Sequence, residues 1–177
     1  DDLLAIDLAT VNPYLKNMRL RGRLEGRRVV PYYSRADIES GLAPVAGKEI
    51  VWVDDAVEAF FLQIQGSGRI RLESGDTLRV GYADQNGHPY QSVGRYLVDR
   101  GEMKLHEASM EGIKAWARAN PLRLDEMLNA NPSYVFFREL PALHTAAGDL
   151  AGGDSAAEGP GSAMDGPLGA LGVPLTP

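Results

Sequence analysis

Cysteine is missing from the chain, which excludes disulfides, thiolate nucleophiles and zinc-thiolate centres together and leaves the redox compartment open. Histidine is nearly as scarce. His88, His106 and His144 are too dispersed for a metal-ligand spacing, so neither a metal nor a cofactor is expected. No apolar run approaches the ~18 residues that cross a bilayer, and no charged-then-apolar signal segment opens the sequence. Basic residues are outnumbered by acidic ones, 18 to 24, for a net charge of −6, and their scatter along the sequence argues against a nucleic-acid surface. What is present, 44% hydrophobic and 24% charged residues in a length of 177, suffices for one core, or one core with an attached piece of another. The first residue is Asp1, and Gly169 to Pro177 reads like a strand just beginning, so an excised piece of a longer protein is expected.

Strand signals come first and helical ones later. Arg19 to Pro31 alternates apolar and charged residues around Glu25-Gly26 and predicts a hairpin with one wet face. Glu49–Val53, Ala59–Gln65, Arg69–Glu73 and Thr77–Tyr82 read as further extended runs, with Gly66-Ser67-Gly68 and Ser74-Gly75-Asp76 as turns, together a small antiparallel sheet or barrel. From Ser92 the period becomes helical, with Ser92 as cap and Gly101 at the C-terminal left-handed position. Ser109–Asn120 and Leu122–Ala130 carry apolar stripes at helical spacing, Asn131-Pro132 breaks the second, and Ser133–Leu140 is dense in β-formers. Residues 142 to 166, rich in Gly, Ala, Ser and Asp, read as a flexible linker.

The most informative polar pattern lies in Phe60 to Gly68. Read as a strand, Phe61, Gln63 and Gln65 share one face and Phe60, Leu62 and Ile64 the other, leaving an amide-rich surface. Neutral amides suit hydroxyl and N-acetyl partners better than phosphates or metals, although two solvent-facing strand residues would look the same. Tyr82 to Tyr90 adds two aromatics, an acid, two amides and a histidine around the Asn86-Gly87 turn. Aromatic faces stack on sugar rings while amides and hydroxyls engage their substituents, so Gln63, Gln65, Ser67, Tyr82, Asn86 and Tyr90 form a candidate glycan surface, with an ordinary Asn-Gly turn as the plain alternative. Arg95 could donate to a substrate oxygen or pair with a neighbouring carboxylate. No phosphate-binding lysine or helix start follows Gly66-Ser67-Gly68, and no nucleophile elbow is present, so nucleotide and serine-hydrolase readings fail.

Phe60-Phe-Leu-Gln-Ile-Gln-Gly-Ser-Gly-Arg69, Val80-Gly-Tyr-Ala-Asp-Gln-Asn-Gly-His-Pro-Tyr90, Ser92-Val-Gly-Arg-Tyr-Leu97 and Asn131-Pro-Ser-Tyr-Val-Phe-Phe137 follow in order and resemble the membrane-bound lytic murein transglycosylase A family; Gly166 to Thr176 is similar too. The resemblance implies a periplasmic, outer-membrane-associated enzyme that cleaves peptidoglycan between N-acetylmuramic acid and N-acetylglucosamine and forms a 1,6-anhydro end. It further implies a two-domain enzyme, a double-psi β-barrel split by an inserted small antiparallel β-barrel domain, mainly β with a few helices. Residues 1–18 would then lead in, 19–140 would be the insert with helices across 92–130, 141–166 a linker, and 167–177 the start of the returning barrel strand. In the family one aspartate of the C-terminal barrel region acts as the acid, and the muramic 6-hydroxyl replaces water, unlike the two-carboxylate glycosidases. No residue here matches that aspartate; Asp84, Asp154 and Asp165 have no aligned role. The chain is therefore expected to position glycan through Gln63, Gln65, Ser67, Tyr82, Asn86, Tyr90 and Arg95. Its expected partners are murein strands and the catalytic barrel region of the same protein, with membrane contact through a lipid anchor outside the chain. The competing expectation is a non-catalytic glycan-binding or interaction module.

Overall fold

Left-handed Gly26 turns the chain between β2 (Leu20–Glu25) and β3 (Arg28–Pro31), whose register runs from Glu25↔Arg28 to Gly22↔Pro31, the hairpin that the alternation predicts. The computed structural model describes residues 2–10, 12–15 and 20–141, so the expected linker 141–166 and returning strand 167–177 lie outside the described residues except for Pro141. A short strand, β1 (Leu4–Ile6), too brief to be recognised from pattern, pairs antiparallel with β2 and completes one sheet in the order β1-β2-β3. The second sheet is β4 (Ser67–Arg71), β5 (Thr77–Gln85) and β6 (Val135–Leu140), antiparallel in that order. The runs expected to form one sheet or barrel thus divide into two three-stranded sheets, and no closed barrel forms among the described residues.

The segment expected as the Ala59–Gln65 strand is instead helix α2 (Ala56–Gln65). Asp55 caps it by accepting from the Val57 and Glu58 amides at 2.8 and 3.0 Å, and Gly66 ends it in the left-handed region at φ 77°. Val57, Phe60, Phe61 and Ile64 fall at i, i+3, i+4 and i+7, a helical stripe that the strand-like alternation of Phe60, Leu62 and Ile64 conceals. The expected Gly66-Ser67-Gly68 turn is accordingly a helix stop followed directly by β4, and the expected Glu49–Val53 strand is irregular.

Three further helices follow their local signals: α3 (Val93–Asp99) capped by Ser92, α4 (Met110–Ala119) capped by Ser109, and α5 (Leu124–Asn129). They pack on α2 around Phe60, Leu97 and Met127, each essentially inaccessible to solvent. Burying one such side chain is worth roughly 1.5–3 kcal/mol, so this helical cluster is a principal apolar core of the described residues. A short helix, α1 (Arg35–Glu39), opened by a Ser34/Asp37 capping box, joins the two sheets.

An ion cluster ties the outer ends of these helices. Arg123 binds Glu102 at 2.7 and 2.8 Å and Glu126 at 2.9 Å, while the Tyr96 hydroxyl donates to Glu126 at 2.6 Å. Arg123 first, then Tyr96, hold the Glu126 carboxyl down to about 2, below its unfolded value. The depressed value means that this contribution to stability is complete above the ordinary glutamate pKa of ~4.3 and is lost as pH falls from there through about 2. In Arg123→Ala, a carbon-detected NMR titration of Glu126 should return its midpoint toward the ordinary range; an unchanged midpoint would show that Arg123 is not the cause.

Candidate functional site

Two sheets that share few backbone bonds must be fastened by side chains, and the fasteners are polar. Arg21 on β2 donates through Nε to both oxygens of Asp84 on β5, at 2.8 and 3.0 Å. Asp84 also accepts from the Gln85 amide, so its lone pairs are engaged in joining the sheets. Just beyond, Asn86 is fully buried: its amide donates to the Tyr33 and Pro132 carbonyls, both at 2.9 Å, and its oxygen accepts from the Tyr134 and His88 amides. His88 Nε2 donates to the Tyr32 carbonyl at 2.7 Å, which makes it a clip for the loop. Gly87, at φ 81°, passes so close to β2 that a Cβ there would lie 2.7 Å from that of Arg21. Only glycine meets both conditions.

Arg35 is the second fastener. It is 3% exposed, stacks over the Phe60 and Tyr134 rings, and donates to Gln63 Oε1 at 2.6 Å and to the Asn131 and Ser133 carbonyls. Gln63 also shares a hydrogen bond with the Tyr134 hydroxyl, whose pKa is pushed up mainly by burial. The half-turn from strand to helix therefore changes the role of Gln63: as a helical residue it points inward, not onto an amide-rich face.

Between the two fasteners lies a cavity of about 280 Å³ walled by Tyr32, Tyr134 and Phe136 with Asp84, Lys48 and Glu49. Ring faces beside hydrogen-bonding groups are what a sugar ring requires. Of these residues the sequence pattern had drawn in Asp84 alone, as an acid without an aligned role. Tyr32, just after β3, meets the ring of Phe136 on β6, which in turn packs on Tyr134 just before that strand, and the one local hint was the aromatic density of 134–137.

The remaining candidates separate. Gln65 is exposed at the end of α2, Ser67 opens β4 opposite Gly81, and Tyr82, the residue after Gly81 on β5, turns to the other face of the sheet from Ser67. Gln65 also lines a mixed cleft of about 350 Å³ with Asp54, Glu58, Arg69 and Met110. Tyr90 is 55% exposed and bonded to Ser92, and Arg95 pairs with Asp99 at 2.7 Å, both at the start of α3. Arg95 thus takes the carboxylate alternative. The carboxyl groups held away from their usual range, Asp37, Glu102 and Glu126, are all held below it by hydrogen bonds to the ionised form, the reverse of what a donor to a glycosidic oxygen needs. Among the described residues no group of His, Asp and Glu could hold a metal, and no helix is long and apolar enough to cross a membrane.

The fold is shared with murein lytic transglycosylases of solved structure: the MltA of Neisseria gonorrhoeae is 46% identical and covers 89% of this chain and 33% of its own, with a TM-score of 0.64. The E. coli MltA crystallised with bound chitohexaose is 34% identical, covers 67% of this chain and 36% of its own, and has a TM-score of 0.58. The MltA specific insert domain matches residues 1–138, and the chain belongs to that family. A curated relative, the membrane-bound lytic murein transglycosylase A of Escherichia coli strain K12, is 38% identical over 108 residues, 59% of this chain. The chain spans 29% of that relative's length.

Proposed function

We propose that this chain is the glycan-holding insert of a lytic murein transglycosylase that cuts the β-1,4 bond between N-acetylmuramic acid and N-acetylglucosamine and leaves a 1,6-anhydro end. Membership of the insert-domain family carries the reading, and the aromatic cavity supplies a surface suited to it. Gln65, Ser67, Tyr82 and Tyr90 contact the strand directly. Gln63 and Asn86 act at one remove, by holding Tyr134 and the loop after β5, and Arg95 lies at the rim. Proton donation belongs to the part of the longer relatives that this chain does not span. The name of the curated relatives, membrane-bound murein enzymes, favours a periplasmic place in the cell envelope.

Murein sacculi incubated with this chain, and separately with the full-length N. gonorrhoeae relative, test the division of labour. The chain should sediment with sacculi and release nothing, while the relative should release 1,6-anhydromuropeptides detectable by mass spectrometry. Gln65→Ala and Tyr82→Ala should each weaken sedimentation by several fold, since each removes one stacking or hydrogen-bonding contact. Failure of the chain to bind sacculi would sink the glycan-holding reading. Anhydro product from the chain itself would place an acid within it, with Asp84 the first to test.

A further inference from the structure

The arginines scattered along the sequence are not scattered on the second sheet. Residues directly opposite in an antiparallel pair share a face, and Arg69 stands opposite Arg79, Arg79 opposite Leu140, and Gly81 opposite Arg138. Arg71, two residues after Arg69, lies on that same face. Four guanidinium groups therefore share one face of a three-stranded sheet. Arg69, Arg71 and Arg138 are exposed, and Arg79 donates to the Pro141 carbonyl at 2.9 Å. Asp54, Asp55 and Glu58 line the same cleft as Arg69 and Arg71, yet among the described residues none of the four arginines forms an ion pair with a carboxylate, although the chain carries 24 acidic residues against 18 basic. The alternate residues Ile70, Leu78 and Val80 form the opposite face, where Leu62 of α2 lies against Gly68.

Like charges directly across a strand pair destabilise it, so a face of this kind is best satisfied by an anion from outside. Its spacing narrows the choice. Arg69 and Arg71 are separated by two strand residues, roughly 7 Å, and Arg69 and Arg79 by roughly 5 Å across the pair. An extended peptide also presents alternate side chains about 7 Å apart, so successive carboxylates on a short peptide can meet successive guanidinium forks. A nucleic-acid duplex fits less well, because the patch is three strands wide and the chain as a whole is acidic.

Resting on the reading that the chain holds murein, we propose that this arginine face binds the carboxylate-bearing peptide branches of the strand, beside the surface that takes the sugars. The face would make the insert selective for peptide-substituted murein over bare glycan.

The test compares binding of the 177-residue chain to intact murein with its binding to glycan strands stripped of peptide by an amidase, and to chitohexaose. Intact murein should bind roughly tenfold more tightly, about what one or two charge-assisted contacts supply. The double variant Arg69→Gln/Arg71→Gln, exposed at both positions and checked for an unchanged melting temperature, should lose that preference while keeping its affinity for stripped strands and chitohexaose. Arg138→Gln provides a second, independent variant should the pair perturb β4. Equal binding of intact and stripped murein by the unaltered chain would overturn the proposal, as would a preference that survives in both variants. Polyphosphate competing as well as a glutamate peptide of equal charge would also overturn it, by marking an unselective anion surface. Loss of binding to stripped strands and chitohexaose by the unaltered chain would remove the glycan-holding reading, and this proposal with it.

Discussion

Replacing Arg35 by alanine should lower the stability of the folded chain by roughly 3–5 kcal/mol, because buried acceptors lose their donor and a cavity opens beside them. Arg35 is 3% exposed, and its guanidinium satisfies Gln63 Oε1 at 2.6 Å, the Ser133 carbonyl at 2.8 Å and the Asn131 carbonyl at 3.1 Å. Alanine would leave these acceptors buried without donors and open a hole between the Phe60 and Tyr134 rings. Thermal denaturation followed by circular dichroism should show the midpoint fall by roughly 10 °C or more. Arg35→Met separates the two causes, because it restores much of the volume and none of the donors. A methionine variant as stable as the original would show that packing, not the hydrogen bonds, holds this junction. A midpoint between those of the alanine variant and the original chain would assign a share to each.

Asn86→Ala should cost about as much, roughly 3–4 kcal/mol, by removing four hydrogen bonds from a fully buried site. The loss would also be felt at a distance. Asn86 joins the Tyr33 carbonyl, beside β3, to Pro132 and Tyr134, which lead into β6, and the neighbouring Asp84 and Tyr134 wall the aromatic cavity. Hydrogen exchange of the Tyr134 amide, which donates to Asn86 at 2.9 Å, should therefore accelerate well beyond the rise expected from global destabilisation. Asn86→Asp keeps the acceptor and removes the two donors. If the amide of Tyr134 exchanges no faster in either variant, the loop after β5 is held by other contacts and the account given for Asn86 fails.

Much of the fold is legible because its signals are local. The β2/β3 hairpin rests on alternation over twelve residues and a left-handed glycine. Helices α3 and α4 each announce a serine cap, and β6 follows a helix-breaking Asn131-Pro132. Helix α2 was hidden by two periods that coincide: from Phe60 onward an alternating strand and a helical stripe contain many of the same apolar residues. Extending the window back to Val57 and to the Asp55 cap would have separated them, since a strand has no use for that carboxylate while a helix start has two bare amides to offer it. Helix α1 and strand β1 are too short to carry a period at all.

The candidate site was legible as a list of residue types and much less so as a surface. Ser67 and Gln65 are neighbours where α2 runs into β4, but Tyr82 turns to the other face of β5 from Ser67, and the amides Gln63 and Asn86, singled out for their chemistry, spend it inside the protein. A buried amide and a ligand-binding amide look alike in sequence because both are polar residues in apolar surroundings.

The sequence by itself determined the family, through ordered strings of residues, and most local elements, through caps, breakers and periodicity. It also excludes thiolate chemistry from these 177 residues. Tertiary structure decided which polar groups face solvent and which are consumed as fasteners, because the partners of Arg35 lie 28, 96 and 98 residues away. It likewise gathered Arg69, Arg71, Arg79 and Arg138 onto one face, since strand register sets which distant side chains become neighbours.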